Sequence, residues 1–359
     1  MKRLTPIPEE LWDQVPPAAQ AAILGVILQY EQQLRAVQVQ PQPAGQPPAL
    51  PTAAPAASHK APEPSSMAEL TGKTFANFEI GPLLATGNSG AMFRAKDSTK
   101  PGRVVAFQVL RPEQFKDEDR ERFTRTMMVV RTLRHPTMIR VYGAGKTGPY
   151  YWIAMKYVVG DSLAQLLQKF GVAGRLDWRR TYDAAVCLTR ALHEAHSHDI
   201  IHRNLKPANV IVRSDTKRAM LGDWSRARPL HGAKVEPLPW PGQLVGDLTY
   251  LSPEQTQPGT VEDGRCDIYA LGATLYTLLA GRPPFEAGTA AKMTVKIRGE
   301  EPPNPKEYQL AIPEAVAGLV MRMLAKRNDV RFQNTTDVLK ELERIAKIHQ
   351  LSFDPDAGV

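Results

Sequence analysis

Ile201-His202-Arg203-Asn204-Leu205-Lys206-Pro207-Ala208-Asn209 is the stretch on which the reading of this chain turns. At its centre Asn204 carries an amide, which cannot act as a general base near neutral pH. The pattern changes character on the way to it. Residues 78–153 read mostly as strands, with 104–110 the strongest and one helical stretch at 118–133. After Gly160 the pattern turns helical, at 162–170, 178–198, 267–280, 313–324 and 335–350.

The wider composition narrows the function classes. With 359 residues and 43% apolar content, the chain has room for a two-lobed domain plus an extension. The net charge of +8 invites a nucleic-acid reading. The basic residues are dispersed among acids without interleaved aromatics, so no nucleic acid is expected as a partner. Cys187 and Cys266 give neither a disulfide framework nor a metal spacing, which suits a reducing, cytoplasmic setting. Cys187 reads as core filler. No apolar run is long enough for a membrane span, and the apolar segment 21–28 lacks the form of a signal peptide.

Ahead of the patterned region, residues 1–40 read as a helical segment. Ile23, Ile27, Tyr30, Leu34 and Val37 alternate steps of four and three, a short heptad seam. A helix of that length needs a partner: its own domain, a second copy, or another protein. Residues 41–66 hold eight prolines and read as a disordered, extended linker. The domain proper is expected at 67–350, followed by a tail at 351–359.

The quoted stretch resembles the protein-kinase catalytic loop, H-R-D-L-K-P-x-N, with Asn204 in the aspartate's place. Further landmarks in order make the chain similar to bacterial-type Ser/Thr protein kinases over residues 78–348. The glycine-rich loop corresponds to Gly87 and Gly90, with Ala85 in the first glycine slot and Met92 in that of the valine. V-A-x-K appears as Val105-Ala106-Phe107-Gln108, and the glutamate that would pair with its lysine falls at Thr126. Neutralising both ends avoids stranding one desolvated charge. D-F-G appears as Asp223-Trp224-Ser225. Between Ser225 and Thr249 no Ser, Thr or Tyr offers a phosphorylation site. Asp267, Glu254 and Arg331 match residues that brace the fold.

The resemblance implies an α+β, bilobal kinase-like fold, with a strand-rich N-lobe at about 74–157 and a helical C-lobe at about 158–350. It implies an ATP site at Gly87, Gly90, Met92, Ala106, Gln108, Met155, Val158 and Ile211, and Mg²⁺ ligands at Asn209 and Asp223. Asn204 and Lys206 take the catalytic positions, and Asp247 could serve as a displaced base or pair with Lys206. The expected function is a pseudokinase acting as a signalling or scaffolding module that could still bind ATP and Mg²⁺. It would engage protein partners through the N-terminal helix and C-lobe, and could self-associate. The alternatives are a weak or atypical Ser/Thr kinase, or a non-kinase transferase. A weak kinase would need a substitute cation, and strand alternation nominates Arg94, then Lys96.

Overall fold

The computed structural model describes residues 67–87, 90–111, 117–169, 175–230 and 248–353. The expected N-terminal helix, the proline-rich linker and Asp247 lie outside them. Among the described residues no helix is long and apolar enough to cross a membrane.

The first lobe is built on a six-stranded antiparallel sheet of β1 (Thr74–Phe75), β2 (Phe78–Gly87), β3 (Gly90–Asp97), β4 (Val104–Leu110), β5 (Val141–Thr147) and β6 (Tyr150–Lys156), in the order β1-β2-β3-β4-β6-β5. Strand alternation divides β4 between two environments. Val105, Phe107 and Val109 enter an aromatic core, where Phe107 stacks on Trp152 at 5.3 Å. Ala106 and Gln108 face the opposite side. The register sets Gln108 beside Met92 on β3 and Ile153 on β6, and Ala106 beside Met155.

Helix α1 (Asp117–Val130) follows β4 and buries Phe123, Thr126, Met127 and Val130. It matches the helical stretch expected at 118–133. Gly90 is dictated by geometry: its φ is +144°, and a Cβ there would lie 1.9 Å from the Val109 carbonyl oxygen.

The second lobe is helical. After β7 (Gly160–Ser162) come α2 (Leu163–Lys169), α3 (Trp178–Ser197) and β8 (Ile200–Ile201), then β9 (Val210–Arg213), β10 (Ala219–Leu221) and β11 (Arg228–Pro229). The helices α4 (Gly264–Ala280), α5 (Ala290–Gly299), α6 (Glu314–Met323) and α7 (Thr335–His349) complete it. Asp177, Asp263, Thr289 and Asn334 cap α3, α4, α5 and α7 with side-chain hydrogen bonds to backbone N–H groups. Helix α4 is buried nearly throughout, so it reads as apolar all round rather than amphipathic.

The lobes share one core, which runs from Phe123, Met127 and Met155 through Leu205 and Trp224 to α4 and α7. Backbone hydrogen bonds from Leu221 to Thr137 and from Ile139 to Leu221, both 2.8 Å, join the lobes behind the cleft. Cys187 and Cys266 are free and buried, and burial pushes the Cys187 thiol up to about 11. The Arg331 guanidinium forms a buried two-pronged pair with Glu254, at 2.7 and 2.9 Å.

Candidate nucleotide cleft and its acidic centre

A cleft of about 380 Å³ opens between the lobes, within the size range of small-ligand sites. Every expected binding and metal residue lines it: Gly87, Gly90, Met92, Ala106, Gln108, Met155, Val158, Ile211, Asn209 and Asp223, together with Asn204 and Lys206. One end is apolar, walled by Leu84, Met92, Ala106, Met155, Val158 and Ile211. There the Lys156 N–H is already given to the Arg140 carbonyl at 2.8 Å, whereas Val158 makes no backbone hydrogen bond among the described residues. A planar heterocycle could take that backbone edge. A Cβ on Gly87 would meet nothing within 4 Å, so the strand end leaves open space over the polar end.

The loop that carries Asn204 is fixed from below. Asp267, fully buried on α4, accepts hydrogen bonds from the N–H groups of His202 and Arg203, both 2.8 Å, and from His196 Nε2 at 2.9 Å. Burial alone would raise its carboxyl, but these donors, His196 foremost, hold it below its ordinary value. They also stabilise Arg203 in a left-handed conformation, φ +63°, with its guanidinium on Glu262 at 2.7 Å. His202 is wholly buried. Its Nε2 donates to the Gly222 carbonyl at 2.8 Å and its Nδ1 accepts the Asn204 N–H at 3.2 Å, which fixes a neutral tautomer. Burial lowers its pKa, against an opposing pull from Asp267. Trp224 is buried edge-on to the His202 ring at 4.5 Å, below the cleft, so it does not fill the ligand space.

The centre of the site is Asp223, the single carboxylate among the described lining residues. It sits at φ +54°. Its Oδ2 accepts the Asn204 amide at 2.8 Å. Its Oδ1 accepts the Ser225 hydroxyl at 2.6 Å and the Gln108 amide at 3.2 Å, with the Ser225 N–H at 3.4 Å. Both amides must turn their NH₂ ends to the carboxylate, because oxygen facing oxygen would repel. Residues 108, 204 and 225, each a departure from the kinase pattern, thus meet on one side chain. Asn209 anchors the loop by donating to the Asn204 carbonyl at 2.7 Å.

Neutrality at Gln108 and Thr126 leaves no stranded charge, but it leaves orphans. Gln108 Oε1 and Thr126 Oγ1 are buried without a hydrogen-bond partner. An unmet buried acceptor costs about 1–3 kcal/mol.

The residues at Asp223 do not fit a divalent cation as they stand. A carboxylate oxygen has two lone pairs, and those of Oδ1 are already taken. Mg²⁺ demands near-ideal octahedral oxygen ligation, and the other oxygen, which already accepts the Asn204 amide, has a single lone pair to offer. Among the described residues no group of three or more His, Cys, Asp or Glu side chains could hold a metal ion.

Arg94 does not supply the substitute cation. It is exposed and its guanidinium lies over the Tyr157 ring, 5.8 Å from the centroid, outside the cleft lining. Arg226, on the short 3-10 turn Trp224–Arg226, does reach the cleft, as Lys206 does. Its spacing of three from Asp223, one turn on, was the available signal in the sequence.

The family profile described as "Protein kinase domain" matches residues 78–342, so the chain belongs to the protein kinase family. It is similar to bacterial serine/threonine kinases. Identity is 33% over 261 residues with the DNA damage-responsive serine/threonine-protein kinase RqkA of Deinococcus radiodurans, covering 72% of this chain and 38% of that protein. With the serine/threonine-protein kinase PknB of Mycolicibacterium smegmatis it is 31% over 275 residues, covering 75% and 43%. The crystal structure of the Mycobacterium tuberculosis PknI kinase domain aligns with a TM-score of 0.62 at 26% identity, covering 76% of this chain and 98% of that one. The chain spans about two fifths of the length of the curated relatives it matches.

Proposed function

We propose that the chain is a catalytically impaired kinase-fold module that binds a nucleotide and acts through protein partners. The observation that carries this reading is the acidic centre itself. Asp223 is met by the neutral donors Gln108, Asn204 and Ser225, where phosphoryl transfer relies on cations to neutralise developing charge. Asn204 is a hydrogen-bond donor at the position of the base. Loss of a general base alone typically costs about 10²–10⁴ in rate. The open cleft, with its apolar end and unengaged Val158 backbone, supports retained nucleotide binding.

Partner engagement through the N-terminal helix and the helical lobe, and self-association through Ile27 and Leu34, belong to the same proposal. A cytoplasmic setting is part of it. Thermal shift with adenine nucleotides tests the binding half: stabilisation at millimolar nucleotide is expected, and none would remove it. Labelled phosphate transfer tests the catalytic half.

A further inference from the structure

We infer that the cleft takes its nucleotide without a divalent metal, and that Arg226 is the residue that meets the phosphates. The inference rests on the nucleotide-binding reading above. It starts from the lone-pair count at Asp223. Oδ1 is filled by Ser225 Oγ and Gln108 Nε2, and Oδ2 receives Asn204 Nδ2. A cation bound through Oδ1 would have to displace its donors, and the displaced Gln108 amide would be left buried with both its polar atoms unmet, since Oε1 has no partner already; Oδ2 alone offers one free lone pair, too little to hold a divalent ion. The carboxylate therefore serves first as a structural acceptor, three of its four lone pairs being engaged by the chain's own donors.

A nucleoside di- or triphosphate still brings negative charge to the polar end. The described cations that line that end are Lys206 and Arg226. Arg226 makes no hydrogen bond or ion pair with a described side chain, and it is half-buried at the rim formed with Asp223 and Asn204. A guanidinium can grip two phosphate oxygens at once through its planar fork, which an ammonium cannot. Placed one turn after Asp223, it supplies the charge that the glutamine at 108 cannot. It arrives from the opposite lobe, so the phosphates would be held against the second lobe.

The test is nucleotide affinity of the full chain by calorimetry, using ADP and a non-hydrolysable ATP analogue, in EDTA and in Mg²⁺. Affinity in EDTA is expected to equal or exceed that in Mg²⁺. Arg226→Ala should weaken it about ten- to a hundredfold in both conditions, the range of one or two charge-assisted hydrogen bonds. Arg226→Lys should recover only part of the loss. The melting temperature of each variant without nucleotide should match that of the parent, which separates lost contact from lost fold.

Binding that requires Mg²⁺ and disappears in Asp223→Ala would overturn the inference while leaving nucleotide binding intact. Metal-independent binding indifferent to Arg226→Ala would overturn the role of Arg226. No binding in either condition would remove the nucleotide reading itself.

Discussion

The Asn204 amide donates a 2.8 Å hydrogen bond to Asp223 Oδ2. Where a kinase sets one carboxylate for the proton and another for the metal, this chain joins the two positions to each other. From this bond it follows as a prediction that restoring aspartate at 204 alone does not restore phosphate transfer.

Asn204→Asp would place two carboxylates at hydrogen-bond distance. Like charges that close share a proton and raise the pair's apparent pKa. We expect no gain in phosphate transfer, and a loss of about 1–3 kcal/mol of stability near neutral pH from the donor removed. Chemical denaturation and a transfer assay on the variant check this. Kinase-like turnover from this one change would refute it.

The two glycines facing the cleft separate fold from ligand. Gly90→Ala meets the Val109 carbonyl at a φ of +144° and should cost on the order of 3 kcal/mol. Gly87→Ala has open space and should stay within about 0.5 kcal/mol of the parent, while weakening any phosphate contact nearby. Urea denaturation of the two variants shows whether the contrast holds.

The neutral, buried His202 makes the site acid-sensitive. Its folded pKa lies below the ordinary 6.5, so the unfolded chain binds the extra proton first. Its contribution is intact above about pH 6.5 and is lost as pH falls from there toward the folded pKa. His202→Phe keeps an aromatic edge against Trp224 but cannot titrate. The slope of stability against pH between about 6.5 and 5 should flatten in the variant. An unchanged slope would assign the acid sensitivity elsewhere.

The Glu254–Arg331 pair lies in the core of the second lobe. Arg331→Met leaves a buried carboxylate and should cost about 3–5 kcal/mol. The double change Glu254→Gln with Arg331→Met should cost less than the sum of the two. A double-mutant cycle with no coupling would contradict the buried pair.

Much of the fold was legible because periodicity and caps agree. The helices expected at 178–198, 313–324 and 335–350 are found at Trp178–Ser197, Glu314–Met323 and Thr335–His349. Helix Ala290–Gly299 was not foreseen. It buries only Met293 and Ile297, and two apolar positions four apart make too weak a stripe to separate from a loop. The helix read as starting at 267 begins at Gly264, because its Asp263 cap precedes the apolar run.

At the site, family spacing located Gln108, Asn204 and Asp223, but not their meeting on one carboxylate. Gln108 and Asp223 are 115 residues apart in sequence and touch only through the sheet's register over the loop. Strand alternation nominates Arg94 on β3 as a replacement cation because it shares the face of Met92. The strand runs on past the cleft by that point, and Arg94 rests on Tyr157 instead.

The measurement that bears most directly on the neutral-donor centre is transfer of labelled γ-phosphate from ATP, to the chain itself and to generic protein acceptors, compared with Asp223→Ala. The account predicts that the parent and the variant give the same background incorporation, with or without Mg²⁺. Incorporation by the parent that vanishes in Asp223→Ala would contradict it.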